Sequence, residues 1–177
     1  MTRIERREPA PGGRVCAFTG HRPSKLTFLK DENDPKHARL SRKLEERLEE
    51  LAREGYTHFV SGAALGVDTL AAEKVLLLRE KHPEVTLELA IPCPEQSGRW
   101  SAADKERYLR LVERADVVTT VCPMYAPFVM NERNRYMVEK CDLLLAVYDG
   151  SAGGTRNALS IALDMKKQVE IIDPNRL

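Results

Sequence analysis

Four short segments of this chain carry residues suited to holding an anion. They are Thr19-Gly20-His21-Arg22, Ser61-Gly62-Ala63-Ala64-Leu65-Gly66-Val67-Asp68, Arg133-Asn134-Arg135-Tyr136 and Gly150-Ser151-Ala152-Gly153-Gly154-Thr155. Glycine leaves the main chain bare, so a ligand can come close to its amides. Arginine offers a planar fork of donors that matches phosphate oxygens. Three of the segments lie where an apolar run stops and a helical pattern starts. A helix N-terminus favours negative charge by about 0.3–1 kcal/mol when exposed. Together they predict a site for a phosphate or nucleotide. The candidate ligand-binding residues are Gly20, His21, Arg22, Ser61, Gly62, Gly66, Asp68, Arg133, Asn134, Gly150, Gly153, Gly154 and Thr155.

Each candidate has a plainer reading beside the functional one. Arg22 is the stronger anion ligand of its segment, and His21 could equally be a loop hydrogen bonder. Asp68 would sit in a first helical turn, where an acid is favourable in any protein. As a ligand residue it would accept from a ribose hydroxyl or a base. Arg133 and Arg135 point in different directions on a helix, and Arg133 is preferred as the inward one. Glu132 could instead neutralise one of them in a surface pair. Trp100 could stack on a base, but covering an apolar seam is the preferred reading. Gly150–Thr155 lacks the lysine of a nucleoside-triphosphatase P-loop, and it does not fit the GxGxxG of a dinucleotide site. No residue is assigned a catalytic role, and no cofactor or metal is expected.

These segments need elements to position them. Apolar runs predict strands at Arg14–Phe18, Thr57–Val60, Val85–Ile91, Asp116–Val121, Leu143–Tyr148 and Val169–Ile172. Leu40, Leu44, Leu48 and Leu51 form a helical stripe that should end at Gly55. Further helices are expected from Gly66 to Lys81, Ala102 to Arg114, Asn131 to Lys140 and Gly154 to Lys167. Residues 22–36 read as an ordered loop over the site, and residues 1–13, with two prolines and two glycines, as a flexible tail. Strands alternating with helices predict an α/β protein: a three-layer Rossmann-like fold with a mainly parallel, doubly wound sheet. Residues 14–177 would form that single domain.

Composition narrows the partners. Lys and Arg number 28 against 27 Asp and Glu, a net charge of +1. A global cationic field for nucleic acid is absent, so nucleic acid is not favoured. No apolar run is long enough to span a membrane, and the N-terminus lacks the apolar core of a secretory signal. Cys16, Cys93, Cys122 and Cys141 are widely spaced and read as reduced thiols of a cytoplasmic protein. Homo-oligomerisation is left open.

In this order, Thr-Gly-His-Arg, Ser-Gly-x-x-x-Gly-x-Asp, Arg-Asn-Arg-x-Met and Gly-Ser-x-Gly-Gly-Thr, the motifs resemble the SLOG superfamily. That superfamily joins DNA-processing protein A to the lonely-guy (LOG) phosphoribohydrolases. The likeness is greatest to its YspA/YpsA-like branch of small bacterial proteins, and it includes Ile91-Pro92-Cys93-Pro94-Glu95-Gln96 and Arg99-Trp100. It spans about residues 14–173. It implies a Rossmann-like fold with a nucleotide-type ligand at the carboxyl edge of the sheet. LOG enzymes carry an acidic residue soon after their glycine loop; here Arg156, Asn157 and Ala158 follow Thr155. The resemblance therefore implies a nucleotide or nucleotide-derivative binding protein acting as a sensor or regulatory module. A phosphoribohydrolase-like enzyme and a single-stranded nucleic-acid binder are the alternatives.

Overall fold

The computed structural model describes all of residues 1–177. The apolar runs become β2 (Arg14–Gly20), β3 (Tyr56–Ser61), β4 (Thr86–Ile91), β5 (Val117–Thr120), β6 (Leu143–Val147) and β7 (Gln168–Ile172). A further strand, β1, spans Thr2–Glu5. The helices are α1 (Pro35–Arg53), α2 (Val67–Lys81), α3 (Ala102–Arg114), α4 (Val129–Lys140) and α5 (Gly154–Asp164). The sheet order is β1-β5-β4-β3-β2-β6-β7. Every neighbouring pair is parallel except β1 with β5. This is the expected doubly wound, Rossmann-like α/β architecture.

The chain starts the parallel sheet at β2, winds outward through β3, β4 and β5, then returns to β6 on the other side of β2. The winding reverses between β2 and β6. In open α/β sheets that reversal opens a crevice at the carboxyl ends of the strands. Gly20 at the end of β2 is paired with Val147 at the end of β6, so the first and last glycine segments leave the sheet side by side.

Local signals explain the helices that flank this crevice. Asp34 accepts from the Lys36 N–H, and Pro35 opens α1. Leu40, Leu44, Leu48 and Leu51 are fully buried. Each such leucine contributes roughly 1.5–3 kcal/mol. Gly55, at φ +90°, turns the chain into β3. One apolar core lies between the sheet and α1, α2 and α3; a second, including Met137, Val138, Ala158 and Ala162, lies under α4 and α5.

The segment 1–13 departs from its expectation as a flexible tail. Thr2–Glu5 pairs antiparallel with β5, from Thr2 opposite Thr120 to Glu5 opposite Val117. Arg7 reaches Asp116 at 2.9 Å and also donates to the Pro83 and Val85 carbonyls. All four residues of β1 are exposed. Main-chain pairing and arginine bonds, not apolar burial, dock the segment, so it carries no hydrophobic pattern.

A polar network lies inside the sheet. Glu88 of β4 is fully buried. Its carboxylate accepts from His58 Nε2 at 2.8 Å, Thr119 Oγ1 at 2.8 Å, Tyr136 Oη at 2.5 Å and Lys140 Nζ at 2.6 Å. Arg3 Nη1 stands 3.6 Å away. Trp100 meets Tyr108 edge-on at 5.4 Å and packs against the larger core, which is its seam-covering reading. The four cysteines are free. No helix is long and apolar enough to cross a membrane.

Candidate functional site

The crevice at the switch of winding is a cavity of about 340 Å³. Nine of the thirteen candidate residues line it: Gly20, His21, Arg22, Asp68, Arg133, Asn134, Gly153, Gly154 and Thr155. The other four sit around it. Ser61, Gly62, Gly66 and Gly150 build the frame in which the lining residues are held.

Ser61 is fully buried; its hydroxyl accepts from the Ala63 N–H at 3.1 Å and donates to the Asp68 carbonyl at 2.8 Å. It ties the end of β3 to the first turn of α2. Gly62 O accepts from Arg133 Nη1 at 2.8 Å, and a Cβ at Gly62 would fall 2.0 Å from that nitrogen. Only glycine at this position leaves room for the guanidinium. Gly66, at φ +98°, passes under the Arg22–Pro23 segment, where a Cβ would lie 2.7 Å from the His21 carbonyl. Gly150, also at positive φ, turns the chain between β6 and α5 with open space around it.

Of the two arginines on α4, Arg133 is 6 % exposed and Arg135 is exposed to solvent. Arg133 Nε bonds Asn134 Oδ1 at 3.1 Å, and Nη1 lies 3.9 Å from Asp68 Oδ2. Burial lowers the pKa of Arg133, with Asp68 pulling the other way. Burial raises that of Asp68, opposed by Arg133 and by a backbone hydrogen bond at Ala64. The two form a loose, desolvated pair, with the guanidinium only partly neutralised. Asn134 Nδ2 donates to Asn157 Oδ1 at 3.1 Å and to Gly154 O at 3.4 Å, which fixes the start of α5 against α4. Glu132 stays on the surface.

α5 begins at Gly154, and Gly153 before it supplies no side-chain cap. Its first amides therefore keep unused donors directed along the helix axis. Gly154 borders the cavity, and a Cβ there would meet no atom within 4 Å. The exposed Arg22 side chain leans toward Met130 Sδ at 4.0 Å.

Two polar residues of the site were not singled out from sequence. Asp149, just past β6, holds His21 Nε2 at 2.6 Å and accepts from the Ser151 N–H at 2.9 Å. Hydrogen bonds from Ser151, side chain and then backbone, followed by His21, hold its carboxyl well below the usual range. Lys25 reaches across the mouth to Ser151 Oγ at 3.0 Å and to the Ala152 carbonyl. Asp149 gave no signal beyond a lone acid after a strand, and Lys25 is one of several charges in residues 22–36. The arrangement as a whole offers Arg133, Arg22, Lys25 and helix amides to an anion. Asp68 is the carboxylate that lines it, with Asp149 behind His21.

Known proteins resemble this chain in sequence and in fold. Residues 16–176 match the model of the YspA SLOG family. The SPbeta prophage-derived protein YoqJ of Bacillus subtilis is 36 % identical over 142 residues, covering 73 % of this chain and 83 % of that protein. Among solved structures, DNA processing protein A of Streptococcus pneumoniae superposes with a TM-score of 0.63 at 18 % identity, over 91 % of this chain and 50 % of that one. The Helicobacter pylori DNA processing protein A, described for its single-stranded DNA binding mode, gives 0.59 at 18 % identity, over 90 % and 65 %. This chain thus spans about half to two thirds of the length of those two proteins, and at such identity the likeness is one of fold.

Proposed function

We propose, since this chain belongs to the YspA SLOG family, that it is a cytoplasmic protein that binds a nucleotide or nucleotide derivative and acts as a sensor or regulatory module. The observation that supports this most is the convergence of Arg133 and the uncapped start of α5 in one crevice. A phosphate group there would meet a partly desolvated guanidinium and several amide donors, with Arg22 and Lys25 at the rim. Low local dielectric strengthens such pairing.

The enzymatic reading has one observation in its favour. Asp68 lines the crevice with its pKa raised by burial, as a general acid requires. Its neighbour is Arg133, however, and a ring of cations opposes the positive charge that builds on a ribose during glycosidic cleavage. Release of free base from nucleoside 5′-monophosphates should therefore be negligible. Turnover on the order of 1 s⁻¹ that Asp68→Asn abolishes would reverse this assignment.

The binding site itself is tested with Gly154→Val. The new side chain enters open space, so circular dichroism and melting temperature should stay close to those of the parent protein. Calorimetry should show the affinity for nucleoside 5′-monophosphates falling at least about tenfold, or ~1.4 kcal/mol. Unchanged affinity in a folded variant would place the ligand elsewhere. A single-stranded oligonucleotide in the same titration separates the nucleic-acid alternative, which requires binding that exceeds that of the mononucleotide.

A further inference from the structure

A second cavity of about 630 Å³ lies on the other side of the segment that carries Arg22. Arg22 and Ser24 line both cavities. Between them the chain is pinned: Gly66 lies so close beneath it that a Cβ would come 2.7 Å from the His21 carbonyl and 3.0 Å from Pro23 Cδ. The two spaces are thus adjoining chambers with a fixed partition, over which Arg22 and Ser24 are exposed.

The second chamber differs in character from the first. Leu29, Leu65 and Leu70 give it apolar walls. Its charges offset one another: Glu32 and Asp104 accompany Lys30 and Arg107, and Arg107 is engaged by both carboxylate oxygens of Glu73 at 2.5 and 2.6 Å. A second phosphate would find only Lys30 and the shared Arg22 as unpaired cations there, set against Glu32 and Asp104. His37, in the first turn of α1, is 8 % exposed, lines the chamber and makes no side-chain hydrogen bond. Its ring nitrogens reach solvent, so a ligand edge able to bond them would replace water there. Apolar walls, one unpaired imidazole and a volume within the roughly 300–1,000 Å³ of small-molecule sites suit a flat heteroaromatic ring with a hydrogen-bonding edge.

We propose that this second chamber receives the nucleobase of a ligand whose phosphate is held in the first. The inference rests on the anion-binding reading above and adds where the base is recognised and by what. His37 bonds the edge of the base, and Leu29, Leu65 and Leu70 pack against it. Specificity among nucleotides then resides mainly in α1, the loop after β2 and the chamber face of the Ser61–Asp68 segment.

The test compares four probes by calorimetry: nucleoside 5′-monophosphates, nucleoside 5′-diphosphates, ribose 5-phosphate and inorganic pyrophosphate. The nucleotides should bind at least about tenfold more tightly than the two baseless compounds. His37→Leu removes the hydrogen-bonding edge at similar volume. Leu65→Trp, at a half-buried loop position, fills the chamber and serves if His37→Leu does not fold. Each should reduce the preference for nucleotides to less than about threefold while leaving ribose 5-phosphate and pyrophosphate affinities unchanged. If the baseless compounds bind and the nucleotides gain nothing, or if a folded variant keeps the full preference, the second chamber is not the base site and the anion site stands. If none of the four binds, the anion reading falls and takes this inference with it.

Discussion

Replacing Glu88 with alanine should destabilise the fold by roughly 3–5 kcal/mol, the range for breaking a buried charged cluster by removing one partner. Glu88 is the hub on which His58, Thr119, Tyr136 and Lys140 converge. Without it, a lysine and an imidazole are left facing a void inside the sheet. Burial alone would raise the Glu88 pKa; hydrogen bonds from His58, Lys140 and Tyr136 outweigh it and bring the value from 4.5 down to about 2. A carboxylate depressed in the folded state contributes stability above its unfolded pKa and loses it as pH falls through the folded one. The gap between parent and Glu88→Ala should therefore be full above pH 4.5 and shrink steadily toward pH 2. Urea titrations at several pH values measure it. A gap that does not change over that interval would show that the charge on Glu88 is not what holds the cluster together.

Gly20→Ala should cost roughly 1–3 kcal/mol, as overpacking of a filled interior does. The new Cβ would stand 2.4 Å from the Val67 Cβ, an atom at the root of a buried side chain with no rotamer to escape by. The start of α2 must then move. Val67 N–H bonds the His21 carbonyl at 3.4 Å, and Asp68 follows directly, so the shift reaches the crevice as well. Thermal melts of Gly20→Ala, Val67→Gly and the double variant form a cycle. The double variant should be less destabilised than the sum of the two singles, since Val67→Gly vacates the space that the new Cβ needs and the Cβ fills part of the void that Val67→Gly leaves. Strict additivity would mean that the clash is relieved elsewhere.

What the sequence made legible follows from whether the signal is local. The parallel strands and all five helices announced themselves through apolar runs, a leucine stripe and glycine or proline stops. α3 runs from Ala102 to Arg114 as the pattern predicted, while α5 ends at Asp164 rather than Lys167 because Lys166 takes positive φ. Gly20, Gly62 and Gly66 were legible as bare backbone, but the structure shows that each makes room for another part of the chain: Val67, Arg133 and the His21–Pro23 segment. β1 was not, because Thr2–Glu5 is exposed throughout and docks by main-chain pairing with a strand more than a hundred residues away. All six residues of β4 are buried, the charged Glu88 among them. The partners that make Glu88 tolerable there come from β3, β5 and α4, and no local pattern encodes their meeting. Asp149 and His37 are hidden in the same way, since an acid after a strand and a histidine near a helix start acquire meaning only from what the fold places opposite them.

Lys25 gives the crevice a resident counter-charge of its own. Its ammonium is already shared between Ser151 Oγ and the Ala152 carbonyl, spanning from the loop after β2 to the loop before α5. An entering anion can take the third N–H of this ammonium, or displace one of its two acceptors and exchange partners with it. In that exchange part of the Coulomb gain returns as the loss of an existing bond. On the proposed anion-binding reading, a ligand whose oxygens took over those two acceptor positions would loosen the tie between the loops, and one that met only the remaining N–H would leave it in place.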